Sequence, residues 1–323
     1  MEYRVLGNTG LKVSALSFGA SSLGGVFRDI DEADAVRAVH VSLEAGINFI
    51  DVSPFYGLTK AETVLGKALK GVPRGSYILA TKLGRYGMEG KDFDFSASRV
   101  ARSVEESLSR LGVEYVDLIQ AHDIEFGDVE QVINECVPAM RAVQKAGKAR
   151  FVGVTCLSLH LFKRVADRVA IDTILSYCHY EMNDTALAEM IPYFQGKGVG
   201  VISASPLGMG LLSERGVPPW HPAPPRVREL CAKAAAHCKA RGASIEKLAV
   251  QFSLSERGIT TTLVGSASSA NMKRNIAWTD EAMDQGLLAE VLEILKPIHN
   301  VTWESGRAEN NLAGADFGDN AKG

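Results

Sequence analysis

The sequence predicts an α/β chain closed into a (β/α)8 TIM barrel, with an N-terminal β-hairpin plugging one end and extra helices and a tail at the C-terminus. Three observations predict it. Short β-branched or apolar runs alternate with longer amphipathic ones over nearly all of the 323 residues. The short runs are continuously apolar instead of alternating, as in parallel strands covered on both faces. Strand followed by helix, repeated about eight times, leaves a closed parallel sheet as the expected architecture.

Taken in order, EYRVLGNTGLKVSAL reads as a hairpin turning at Asn8–Gly10, placed to plug the amino-terminal end of the barrel. Barrel strands are expected at 15–20, 47–52, 77–82, 115–122, 150–155, 171–177, 198–205 and 260–266. Helix 31–46 opens with acids and stops at a Gly, and helix 96–112 opens on Ser and stops at a Gly. Helix 128–148 is long enough to take a kink at Pro138, and 183–198 and 244–258 continue the rhythm. The stretch from Pro206 to Pro225 holds GMG and PPWHPAPP; its length and proline content mark a functional loop. Residues 1–310 form one expected domain, and the small, polar segment 311–323 an expected disordered tail.

With 46% hydrophobic and 23% charged residues, the chain can bury one large core. A net charge of −3 gives no pull toward nucleic acid or an anionic membrane. No run approaches the roughly 20 apolar residues of a membrane span, and the start lacks the features of a signal peptide. Five cysteines without a C-x-x-C pair read as reduced thiols. A soluble cytoplasmic protein is expected.

No G-x-G-x-x-G, P-loop or H-E-x-x-H is present. No metal site is expected, since His179 and Glu181 offer two ligands without a third. Strand ends are more informative. Asp51 closes the second barrel strand with Tyr56 just beyond it, Lys82 closes the third, and His122 the fourth. Each alone suits a solvated cap or a packed side chain. Together they fall where such a barrel builds its active site.

At this point a resemblance enters. Asp51-x4-Tyr56, Lys82 and His122, in this strand order, resemble the tetrad of the aldo-keto reductase family. FGASSLGG, INFIDVSPFYG, SRLGVEYVDLIQAH, LSYCHYEMND, VISASPLGMG and LVGSASSANMKRNI extend the likeness over about residues 4–300. The resemblance implies hydride transfer to a nicotinamide cofactor. It is nearest to plant members that oxidise L-galactose at C1 to L-galactono-1,4-lactone in ascorbate biosynthesis. Other aldose or pyridoxal dehydrogenases, and slow-turnover cofactor-binding subunits of potassium channels, share the same frame. A free phenol, with a pKa near 10, is a poor base at neutral pH, and an adjacent ammonium favours its ionised form. Tyr56 is therefore expected as the acid/base, Lys82 as its activator, Asp51 as the partner orienting Lys82, and His122 as the group orienting the substrate oxygen.

The resemblance further implies a dinucleotide lying across the barrel mouth. Its implied contacts are Ser21, Thr155, Ser205, Leu207 and Gly208, then Gly265, Ser266, Ser268, Asn271, Arg274 and Asn275 after the eighth strand. Ser268 also suits a plain helix N-cap. Gly265 and Asn271 stand where NADPH-using members carry Lys and Arg, so NAD is the expected cofactor. Thr155 and Cys156 replace the usual Ser and Asn, and Ala204 a stacking aromatic. Ser21, Ser22, Phe55, the stretch 85–88, Trp220 and His221 are candidate pocket residues.

Overall fold

Strands β1 (Tyr3–Val5) and β2 (Lys12–Ser14) pair antiparallel around a 3-10 turn at Gly7–Thr9, as the hairpin motif predicts. These belong to a computed structural model that describes residues 1–26 and 28–311; the expected tail lies outside the described residues from 312 onward. The hairpin is tied down at a distance. Arg4 Nη1 donates to the carbonyls of Glu256 (3.1 Å) and Ile259 (2.8 Å), and Nη2 to that of Leu254 (2.9 Å).

The barrel strands are β3 (Leu16–Gly19), β4 (Phe49–Asp51), β5 (Ile78–Leu83), β6 (Val116–Ala121), β7 (Ala149–Cys156), β8 (Thr173–Tyr177), β9 (Gly200–Ala204) and β10 (Thr261–Val264). All pair in parallel with their neighbours, and β10 returns to β3 to close the sheet. Around them run α1 (Glu32–Glu44), α2 (Lys60–Leu69), α3 (Ala97–Leu111), α4 (Val129–Gln131), α5 (Val137–Lys145), α6 (Leu159–Arg168), α7 (Ala186–Gly196), α8 (Pro225–Ala240), α9 (Ile245–Ser255), α10 (Ser269–Ala277) and α11 (Gln285–Leu295).

Several helices start where the sequence says they should. Asp31 accepts from the Ala33 and Asp34 amides, Ser96 from Arg99, and Ser244 from Lys247, each satisfying N–H groups that the first turn leaves open. The disturbance expected at Pro138 takes the form of a π turn, Val132–Cys136, between α4 and α5. Proline supplies no N–H to the preceding turn, and a wider turn absorbs the missing bond.

The core has two shells. Phe49, Ala80, Leu118, Leu175, Ile202 and Leu263 fill the barrel interior, with Leu6, Leu11 and Val13 of the hairpin segment packed against them. The opposite strand faces, including Ile50, Leu79, Ile119, Val152 and Ile174, pack against helix residues such as Val39, Leu65, Val104 and Phe162. Each such burial contributes about 1.5–3 kcal/mol relative to exposure. Strand side chains alternate with a period of two. Two residues beyond the interior apolar layer therefore come Asp51, Lys82, Gln120, Tyr177, Ala204 and Gly265, which share the carboxyl-end rim. Among the described residues, no helix is long and apolar enough to cross a membrane.

Candidate active site

Lys82 and Asp51 form the floor of this rim. They are an ion pair in direct contact, with side chains 1% and 3% exposed. Gln120 Nε2 donates to the other Asp51 oxygen at 2.8 Å. The lysine has two further acceptors, the Val52 carbonyl at 3.0 Å and the Tyr56 hydroxyl at 3.2 Å. Because the ammonium only donates, Tyr56 uses a lone pair in this bond and its own proton stays free.

Tyr56 comes from the loop after β4, and glycines let that loop close. A Cβ on Gly24 would lie 2.6 Å from the Tyr56 carbonyl, and one on Gly57 (φ 62°) 2.1 Å from the Gly24 carbonyl oxygen. Two backbones touch here because neither position carries a side chain.

The charges need one correction to expectation. Burial pushes the Tyr56 phenol above its usual value; Lys82 pulls it down, while Asp51 and Asp123 push it further up. The net direction is upward, so Lys82 by itself does not make the phenol a ready base. Its charge is already shared with the Asp51 carboxylate. For Lys82, burial pulls downward, but Asp51 and Tyr56 outweigh it and the value rises. Asp51 is also raised, by burial, against the pull of Lys82 and Gln120. Lysine is intrinsically far more basic than a carboxylate, so the proton rests on Lys82.

His122 follows β6 and stands edge-on to Tyr56, with ring centroids 5.5 Å apart and planes at 90°. Burial depresses its pKa to about 3, helped by Lys82 and Arg85 and opposed by Asp123. The ring is therefore neutral. The Phe55 amide donates to Ser53 Oγ (3.1 Å), and Ser53 Oγ lies 2.9 Å from His122 Nδ1. A Ser53 hydroxyl that donates to Nδ1 leaves the His122 proton on Nε2, the nitrogen 3.6 Å from the Asp123 carboxylate. A phenol O–H and an imidazole N–H thus stand side by side at the rim. That pair can bind an alcohol or carbonyl oxygen and exchange a proton with it.

Phe55, Arg85 and Thr155, all candidates from the sequence, meet around Asp123, which the sequence did not single out. Asp123, at φ 49°, forms an ion pair with Arg85, and its Oδ2 lies 3.6 Å from His122 Nε2. The Arg85 guanidinium is stacked over Phe55 (3.8 Å) and Phe126 (4.9 Å). The Thr155 hydroxyl accepts from the Asp123 amide (2.9 Å) and donates to its carboxylate (3.2 Å). Thr155, an implied cofactor contact, thus directs its hydroxyl to Asp123. Behind it, buried Glu125 accepts from the Leu157 amide (3.0 Å), the Tyr177 hydroxyl (3.2 Å) and the Ser305 hydroxyl (3.0 Å). Burial, reinforced by Asp123, raises Glu125 to about 7.

Apart from Thr155 in β7, the residues implied for a dinucleotide line the loops after β3, β9 and β10. Ser21 and Ser22 lie in the turn Ala20–Gly24, and the buried Ser22 Oγ has no hydrogen-bond partner among the described residues. Ser205 (φ 61°) and Gly208 (φ 54°) fold the loop after β9 back on itself, with Leu207 between them. Ser268 holds the N-cap position of α10, yet its side chain makes no capping bond. Its amide donates to Ser266 Oγ (3.1 Å), Asn271 Nδ2 donates to the same oxygen (3.3 Å), and Arg274 Nη2 donates to Asn271 Oδ1 (2.5 Å). Asn275 follows one turn after Asn271. Hydroxyls, carboxamides and a guanidinium at one helix start fit an anionic, hydroxyl-rich nucleotide. At Gly265 a Cβ would lie 1.9 Å from the Gly19 carbonyl oxygen, so this backbone admits no cationic side chain there.

In the Pro-rich loop, His221 is buried: its Nδ1 accepts from the Ala223 amide (3.1 Å) and its Nε2 donates to the Gly208 carbonyl (2.9 Å). It pins the loop from within, while Trp220 is 52% exposed. His179 pairs with Asp184 (3.1 Å) and Glu181 with Asn183 (3.2 Å). Among the described residues, no three potential metal ligands gather.

Comparison with known proteins gives the following. Residues 15–296 match the model of the Aldo/keto reductase family. The chain is 52% identical over 319 residues to an L-galactose dehydrogenase of Arabidopsis thaliana, covering 96% of this chain and 99% of that one. It is 25% identical to a D-threo-aldose 1-dehydrogenase of a Pseudomonas species, over 88% of this chain and 94% of the relative. Among solved structures, AKR11C1 from Bacillus halodurans, an aldo-keto reductase in holo form, superposes with a TM-score of 0.77 at 28% identity, covering 97% and 100% of the two chains.

Proposed function

The chain belongs to the aldo/keto reductase family, and from that premise we propose that it is an NAD-dependent aldose 1-dehydrogenase. Its substrate is L-galactose, oxidised at C1 to L-galactono-1,4-lactone as a step of ascorbate biosynthesis in the cytoplasm. The protein acts as a monomer or weak homodimer. One observation carries the chemistry: the Lys82 ammonium, anchored by Asp51, donates to the Tyr56 oxygen at 3.2 Å. The choice of sugar rests on the 52% likeness to the Arabidopsis enzyme.

In this reading His122 Nε2–H binds the C1 oxygen and holds it against the Tyr56 hydroxyl. To act as base, Tyr56 first gives its own proton to solvent, which puts negative charge on the oxygen where Lys82 already donates. The phenolate then takes the proton of the C1 alcohol and returns to the neutral phenol as C1 gives up hydride. Asp51 and Gln120 fix the direction of that ammonium, so no reorientation is needed as the charge forms. An oxidised nicotinamide, when bound, would supply the hydride acceptor and a positive charge that favours the phenolate. Ser53 keeps the imidazole proton on the side where the substrate binds. Ser21, Thr155, Ser205, Leu207, Gly208, Ser266, Ser268, Asn271, Arg274 and Asn275 would hold the dinucleotide. Gly265 and Asn271 leave those two positions without a cation for a 2′-phosphate, which supports NAD over NADP.

The test is the initial rate of NADH formation with L-galactose, L-fucose, D-arabinose, D-galactose and pyridoxal, repeated with NADP. L-Galactose with NAD should give the highest kcat/KM. Absence of turnover with every aldose would overturn the reading in favour of a cofactor-binding subunit.

A further inference from the structure

His122 does not face the substrate alone. The next residue, Asp123, is turned back by its left-handed backbone (φ 49°), and Oδ2 stands 3.6 Å from the nitrogen that carries the imidazole proton. The mechanism above gives this carboxylate no task. It is only 5% exposed, and its burial needs a reason.

We infer that Asp123 selects polyhydroxylated substrates by accepting a hydrogen bond from the hydroxyl on the carbon next to the oxidised one, O2 of an aldose. The inference rests on the aldose reading and deepens it. Three observations support it. First, the spacing fits: neighbouring oxygens of a sugar are about one hydrogen-bond length apart, so O1 on Nε2 brings O2 toward Oδ2. Second, the carboxylate has unused capacity. An ionised carboxylate offers about four acceptor sites, and its side-chain partners are Arg85 and the Thr155 hydroxyl. Burial pushes Asp123 up, but the Arg85 guanidinium paired with it and the Lys82 charge nearby outweigh it and keep the group an anion. Third, the carboxylate is held rigidly, because Arg85 is itself clamped over Phe55 and Phe126. A substrate lacking the neighbouring hydroxyl would dehydrate this anion and return nothing to it.

The test compares kcat/KM for L-galactose and 2-deoxy-L-galactose, with NAD, in the wild-type protein, Asp123→Ala and Asp123→Asn. A hydrogen bond to a charged acceptor predicts a wild-type preference for the full sugar of roughly 10- to 150-fold. In D123A this ratio should collapse toward one, and in D123N it should take an intermediate value. NADH binding, followed by fluorescence, reports that each variant has folded. A role confined to holding the loop would lower both rates together and leave the ratio unchanged. If D123A does not fold, D123N decides, and a ratio equal to the wild-type value overturns the inference. Turnover of sugars with an unaltered ratio removes this inference alone. No turnover of any aldose by the wild-type protein removes it together with the function proposed above.

Discussion

Replacing Asp51 by Asn keeps the shape of the rim floor and deletes one charge from a pair whose side chains are 1% and 3% exposed. The Lys82 ammonium then keeps only neutral acceptors: the Val52 carbonyl at 3.0 Å, the Tyr56 oxygen at 3.2 Å and the new amide. Leaving one member of a buried pair uncompensated costs about 3–5 kcal/mol, against a total stability of about 5–15 kcal/mol for ordinary domains. Lys82→Met is the gentler change. Asp51 retains Gln120 at 2.8 Å, and burial already raises its carboxyl, so it can escape by taking up a proton. The double variant D51N/K82M buries no charge at all and should be more stable than D51N by about 2 kcal/mol or more. Urea midpoints for the four proteins at neutral pH, without cofactor, measure the coupling. If the two single losses simply add in the double variant, within about 0.5 kcal/mol, the pair is not coupled as argued.

Three further outcomes are expected. Tyr56→Phe should fold and bind NADH normally yet lose at least about a hundredfold in kcat, the lower range for general acid–base catalysis; near-normal turnover would remove Tyr56 from the chemistry. His122, depressed to about 3, should show no titration between about pH 5 and 8 in histidine-resolved NMR, with its proton on Nε2, and a midpoint near 6.5 would contradict the neutral ring. Glu125, raised to about 7, costs nothing below its unfolded value near 4.5, and its penalty grows with pH until it is complete above about 7. Glu125→Gln keeps an oxygen for Leu157, Tyr177 and Ser305 and should gain on the wild type by up to about 3 kcal/mol between pH 5 and 8. A pH-independent difference between the two would show that Glu125 is not held protonated.

Much of this molecule could be read from its residues because a barrel converts order along the chain into position around a ring. Each of the eight expected runs is a strand, with ends moved by no more than two residues. Asp51, Lys82 and His122 could be placed on one rim merely by ending successive runs. Gln120 lies inside the expected strand 115–122, where a single polar residue carries no signal of its own. Counting by twos from the interior residue Leu118 would have turned it inward beside Asp51. Ser53, Arg85 and Asp123 were harder, since their meeting depends on loop backbone that no periodicity describes. The φ of 49° at Asp123 is set by its surroundings. Helices α2 and α6 carry N-cap residue types in the sequence that the fold does not use as caps. They start at Thr59 (φ 77°) and Ser158, neither of which caps with its side chain. The net rise of the Tyr56 pKa could not be foreseen, because it needs the depth of burial as well as the neighbours.

The anchoring of Arg4 bears on how the chain assembles during synthesis. The carbonyls that receive its guanidinium belong to residues 250 to 255 positions further along. Strand β1 is therefore completed only once the end of α9 and the loop leading to β10 have been made. Until then the opening hairpin exposes Leu6, Leu11 and Val13, and early βα units wait as an unclosed sheet with a free edge. Truncation shortly before residue 254 should therefore release a chain that aggregates, although most of the barrel has been made.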